Sequence, residues 1–115
     1  MIRVVDTNVA IKANGFVFVS GQVAVDPATQ QLVTGGVAAQ TERVLQNLAN
    51  ILQAAGSSLA QAVQVRVYLK NMADFAAMNQ VYGRYFTQSP PARSTVEVAR
   101  LPKDALLEVD VIALA

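Results

Sequence analysis

The chain has 115 residues and a mass of 12.2 kDa, the size of a single domain spanning residues 1–115. Apolar residues make up 53% and charged residues 15%, with a mean hydropathy of +0.34, more hydrophobic surface than so small a monomer hides on folding. The excess points to apolar faces covered by self-association, whereas nine Lys+Arg against eight Asp+Glu, a net charge of +1, give no field that would favour nucleic acid or an anionic membrane.

In chain order, the first six residues lack the long apolar stretch of a signal peptide. Asn14-Gly15 then favours a tight turn, predicting a hairpin with residues 9–13 as the incoming strand and 16–23 as the outgoing one. Asp26-Pro27 ends that strand, and Thr29-Gln30-Gln31 form a polar loop. After Thr34-Gly35-Gly36, Val37, Thr41, Val44, Leu45, Leu48, Ile51, Leu52 and Ala55 recur at three- and four-residue steps, one apolar stripe of a helix. Gln40, Glu42, Arg43, Gln46, Asn47 and Gln53 take its polar side, and Gly56 closes it.

Val63, Val65, Val67 and Leu69 alternate with polar neighbours, the period of a half-buried strand. Asn71 can cap a second helix with Phe75, Met78, Tyr82, Tyr85 and Phe86 on its core side, stopped by Ser89-Pro90-Pro91. Two more strands follow, at residues 94–99 and 106–114. The tail 105–115 is interrupted by Glu108 and Asp110 and is too short to span a bilayer, so the chain reads as a soluble cytoplasmic protein. The order of elements predicts an α+β fold, a split βαβ pattern with two helices on one face of a mixed sheet. Both sides of the last strand are largely apolar, which is best explained by a neighbouring subunit covering the face that the helices leave open.

The residues that are missing narrow the chemistry. Without Cys there is no disulfide, thiol nucleophile or thiolate metal site, and without His there is no catalytic triad, imidazole base or usual zinc nitrogen ligand. Gly35-Gly36 lacks the spacing and the Lys of a phosphate loop, and no acidic cluster has calcium-loop spacing. Arg93, behind Pro90-Pro91-Ala92, leaves a stiffened backbone in a fixed direction and suits capture of a small carboxylate, or else a surface or interface salt bridge. Glu108 sits among Leu106, Leu107 and Val109. A carboxylate there either lines a cleft, where desolvation suits it to moving protons, or faces solvent or pairs with Arg93 or Arg100. Asp110 shares its side of the strand and suits an interface. Ser20-Gly21 offers a hydroxyl and a close backbone approach, and Asn79 sits on the second helix as a polar-face residue or a ligand.

Together, the segments 14–22, 54–59, 74–79 and 91–98, with Leu101-Pro102-Lys103-Asp104 before Glu108, resemble the RidA (YjgF) family over nearly the whole chain. The Ser20-Gly21-Gln22 and Pro91-Ala92-Arg93-Ser94 blocks carry most of the resemblance. It implies a chorismate-mutase-like protomer, three of which close a barrel with helices outside and clefts between subunits. The implied activity is hydrolysis of reactive enamines and imines, such as 2-aminoacrylate and its tautomer 2-iminopropionate, to a 2-keto acid and ammonia without a cofactor. The family's carboxylate-binding Arg falls on Arg93, the Glu associated with the attacking water on Glu108, and the cleft Ser and Asn on Ser20, beside Gly21, and on Asn79. The position that is often Cys is Thr95. One segment departs from the pattern: Asp6-Thr7-Asn8-Val9 stands where the family usually has Gly-Pro-Tyr-Ser-Gln, so Thr7 replaces a Tyr that lines the cleft.

The expected partners are two further copies of the chain and a small imino or keto acid, with neither nucleic acid nor membrane. An imine deaminase is the leading reading. A non-catalytic trimer that binds a small carboxylate is the alternative that Thr7 favours. A ribonuclease or translation inhibitor, the third reading, is opposed by the missing His and the near-zero charge.

Overall fold

The computed structural model describes residues 2–3 and 9–115; Thr7, and with it the question of the missing aromatic wall, lies outside the described residues. Six strands form one mixed sheet: β1 (Ile2–Arg3), β2 (Ala10–Ala13), β3 (Phe16–Gln22), β4 (Ala62–Leu69), β5 (Ala92–Glu97) and β6 (Leu107–Leu114). Their spatial order is β1-β2-β3-β6-β4-β5, and only β4 and β5 run parallel. Two helices, α1 (Gly36–Ala54) and α2 (Phe75–Tyr85), complete the fold.

The hairpin forms where the turn dipeptide places it. Ala13 pairs with Phe16, and Asn14 and Gly15 take positive φ of 55° and 84°, the twist that a two-residue turn needs to match its strands. In α1, Val37, Thr41, Val44, Leu45, Leu48 and Leu52 are buried against the sheet as their spacing predicts. The helix closes with Gly56 N–H donating to Gln53 O and Ser57 N–H to Leu52 O, which satisfies its last carbonyls. Gln40 departs from its expected polar side and is only 8% exposed. Its Oε1 accepts from Leu106 N–H (2.9 Å), pinning the start of β6 to the helix, so a backbone partner makes its burial tolerable. Asn71 caps a short 3₁₀ turn (Met72–Asp74) through Ala73 N–H (2.9 Å), and α2 grows out of that turn.

Val17, Val19, Val65, Val67, Leu69, Leu107, Val109, Val111 and Ala113 turn toward the helices and are buried. Val63 breaks the expected alternation. The β4–β6 register shifts between Ala62 and Gln64, and this bulge buries Ala62 instead and leaves Val63 39% exposed. Strand β5 begins two residues earlier than its hydrophobic pattern suggests. Pairing with β4 sets its limits, Gln64 with Ala92 through Leu69 with Glu97, and draws Arg93 inside the strand. On the sheet's far face Phe18 and Leu114 remain 43% and 44% exposed, beside the half-buried Phe16 and Ile112 to which β3–β6 pairing joins them. No helix of the described residues is long and apolar enough to cross a membrane.

Candidate functional site

Arg93 lies on the helix side of β5, level with the buried Val65 of β4. Helix α2 delivers three side chains to it. Arg93 Nη1 donates to Asn79 Oδ1 at 2.6 Å, and its guanidinium carbon stands 4.5 Å from the ring centre of Tyr82 and 5.5 Å from that of Phe75. The spacing of Phe75, Asn79 and Tyr82 along α2 gathers them on one helical face. A stacked and hydrogen-bonded guanidinium is held in one plane. Among the described residues, no carboxylate lies within ion-pair distance of it. Thr95, two residues on, shares the face of Arg93.

Glu108 belongs to a different constellation. It is flanked on β6 by the buried Leu107 and Val109, so its side chain leaves the sheet on the far face. Tyr68 of β4 is directly opposite. On the other side β3 bulges: Val19 pairs with Val111 and Gln22 with Val109, leaving Ser20 and Gly21 together across from Asp110. The bulge brings Gly21 under the Glu108 carboxyl so closely that a Cβ there would stand 2.5 Å from Oε2 and 2.7 Å from Cδ. Glycine is the residue that leaves this carboxyl room. Burial, and secondarily the negative charge of Asp110, push the Glu108 carboxyl above its ordinary value. Among the described residues Glu108 forms no ion pair, so the anticipated pairing with Arg93 or Arg100 does not occur.

Asp110 is already satisfied within the chain. It accepts from Arg66 Nε at 2.8 Å and from the Tyr68 hydroxyl at 3.1 Å. The sequence reading did not reach Arg66 and Tyr68, because only the β4–β6 register brings them beside the two acids; their one signal is their place on the outward alternation of β4. It also missed Phe75 and Tyr82 as the bed of Arg93, having assigned both to the core side of α2. A cleft of about 380 Å³ opens beside Gly21 between β3, the following loop and α1; amides such as Gln22, Asn47 and Asn50 line it, and no charged side chain does. No group of three or more acidic side chains among the described residues stands close enough to hold a metal.

The candidate residues thus form two half-sites. Arg93, Asn79 and Thr95 stand on the helix side of the sheet with Tyr82, and Glu108, Ser20 and Gly21 gather on the far side. Within one chain the Arg93 guanidinium and the Glu108 carboxyl lie on opposite faces of the sheet and are not brought together.

The chain is similar to proteins already known. Residues 6–115 match the family model described as Endoribonuclease L-PSP. A RutC family protein of Pyrococcus horikoshii is 54% identical over 104 residues, covering 90% of this chain and 82% of the relative. Reactive Intermediate Deaminase A, chloroplastic, of Arabidopsis thaliana is 43% identical over 104 residues, 90% of this chain and 56% of that longer protein. Among solved structures, Escherichia coli TdcF with bound serine superposes with a TM-score of 0.87 at 37% identity, covering 92% of this chain and 85% of its own. With the two-helix mixed sheet shared and the match running from residue 6 to the last residue, the chain belongs to the endoribonuclease L-PSP family, the family of the RutC and reactive intermediate deaminase proteins.

Proposed function

We propose that this protein hydrolyses reactive 2-imino acids, formed from enamines of the 2-aminoacrylate type, to a 2-keto acid and ammonia, in clefts between the subunits of a homotrimer. The observation that carries the reading is Arg93: a guanidinium fixed by Asn79 and stacked on Tyr82, with no carboxylate partner among the described residues. Such a fork suits the carboxylate of a small organic acid. The relatives agree in kind, one being named a reactive intermediate deaminase and another holding serine, itself a small carboxylate.

Glu108 supplies the proton transfers. Its raised proton affinity brings it nearer to neutrality, where a carboxyl both accepts and donates. As water attacks the imine carbon, Glu108 takes one of its protons and a C–O bond forms. The proton passes to the nitrogen, giving a tetrahedral carbinolamine. The same carboxyl then takes the hydroxyl proton and delivers it to the amino nitrogen, so that the C–N bond breaks with ammonia as the leaving group and the C=O bond of the 2-keto acid forms. Ser20, in the bulge opposite Asp110, is a further binding group of this half-site.

The geometry of the sheet supports a cleft shared between copies. Arg93 and Glu108 leave opposite faces of one sheet, so a cleft using both takes its halves from two copies. The exposed Phe18 and Leu114 on the Glu108 side give those copies an apolar surface to cover. The family description names an endoribonuclease; a net charge of +1 and the absence of His favour the deaminase over that activity here. The test is to generate 2-aminoacrylate in situ and follow 2-keto acid release with and without the protein. Acceleration over the spontaneous rate is expected, and its absence would leave a carboxylate-binding trimer in place of an enzyme.

A further inference from the structure

Two side-chain hydroxyls among the described residues are buried with no hydrogen-bond partner: Tyr82 Oη and Thr95 Oγ1. Both belong to the surroundings of Arg93. The Tyr82 ring lies beneath the guanidinium at 4.5 Å, and Thr95 follows Arg93 by two residues on the same face of β5. Tyr82 is 7% exposed and also packs against Phe86, with ring centres 4.4 Å apart. Its hydroxyl therefore has little freedom to find water. Burying a hydroxyl without a partner is unfavourable, and native chains leave few such groups. Finding both around one arginine that has no counter-ion among the described residues calls for a common explanation.

A small 2-oxo or 2-imino acid supplies one. An arginine fork covers one edge of a carboxylate, while the remaining lone pairs and the neighbouring 2-oxo oxygen or imine nitrogen still need donors once the ligand leaves water. Arg93 has one donor committed to Asn79, which fixes how its remaining N–H groups are presented. Burial raises the Tyr82 hydroxyl above its ordinary value despite the opposing charge of Arg93, so the group stays protonated and donates.

We propose that the Tyr82 hydroxyl, acting with that of Thr95, is a ligand-binding group that completes a three-donor receptor for a 2-oxo or 2-imino carboxylate around Arg93. Tyr82 then serves twice: its ring sets the guanidinium plane, and its hydroxyl selects for the acceptor next to the carboxylate. This inference rests on the carboxylate-binding reading of Arg93 and goes beyond it in adding a donor from α2.

Titration calorimetry of the full chain with pyruvate as probe, paired with melting curves, tests it. Tyr82→Phe keeps the ring and removes the hydroxyl; Thr95→Val removes the other hydroxyl at similar volume, and Thr95→Ser restores it. The expected result is a loss of about ten-fold or more in pyruvate affinity for Tyr82→Phe and for Thr95→Val, with recovery in Thr95→Ser. The unliganded Tm of Tyr82→Phe should be unchanged or higher, because an unpaired buried group has gone, while the pyruvate-induced rise in Tm shrinks. Native binding with Tyr82→Phe and Thr95→Val within two-fold of it would overturn the inference and leave the role of Arg93 standing. A Tyr82→Phe chain that melts lower without pyruvate, or fails to fold, would also overturn it by making the hydroxyl structural. A native chain that binds no pyruvate would overturn the carboxylate reading itself, and the receptor with it.

Discussion

Gly21→Ala is the sharpest probe of the Glu108 half-site, because one methyl group tests whether the β3 bulge exists to seat a carboxyl. The added carbon would lie 2.5 Å from Glu108 Oε2, 2.7 Å from Cδ and 3.0 Å from Cγ. Carbon atoms rest at about 3.5 Å or more, so the carboxyl must withdraw by roughly an ångström. It is the far end of a flexible side chain, and its retreat keeps the stability cost near the low end of overpacking, about 1 kcal/mol, or a few degrees in Tm. A displacement of that size at a proton-transferring group costs about 10²-fold in turnover. The assay is 2-keto acid release from 2-aminoacrylate generated in situ, with circular dichroism melts on the same preparation. Repeating the substitution in a Glu108→Ala background removes the clash, so there Gly21→Ala should have almost no further effect on either quantity. A Gly21→Ala chain at native turnover, or one that slows the Glu108→Ala background by the same factor again, would refute the reasoning.

Arg93→Lys keeps the charge and loses the planar fork and its stacking on Tyr82, so turnover should fall by roughly one to two decades with the melting curve little changed; native turnover would make Arg93 structural. Glu108→Gln should lower turnover about 10²–10⁴-fold, with pyruvate affinity by calorimetry within a few-fold of native. The folded carboxyl binds its proton more tightly than the unfolded one. Native stability therefore falls as pH rises from the ordinary Glu value of about 4.3 through the raised one. In denaturant melts across that window Glu108→Gln should gain on the native chain as pH rises, while native turnover, which needs the carboxylate as acceptor, should drop as pH is lowered. Light scattering at micromolar concentration should give about three protomer masses, and a single protomer mass would dismiss the intersubunit cleft.

Much of this molecule is legible from local sequence, and the reason is periodicity. The Asn14-Gly15 turn, the stripe from Val37 to Ala55 and the alternation of Leu107, Val109, Val111 and Ala113 each depend on neighbours a few residues away, and each element stands where its pattern puts it. Arg93 and Glu108 are likewise conspicuous locally, one behind a proline pair and the other an acid on an apolar strand. What local pattern could not decide is everything set by strand pairing. The bulge that exposes Val63, the one that seats Gly21 under Glu108, and the parallel register that draws Arg93 into β5 each depend on a partner strand remote in the chain. So does the burial of Gln40, which follows from a backbone N–H 66 residues away. The separation of Arg93 and Glu108 onto opposite faces is the largest of these consequences. The alternation of side chains reveals which residues of one strand share a face; only the assembled sheet, with helices on one side, decides which face of each strand is which.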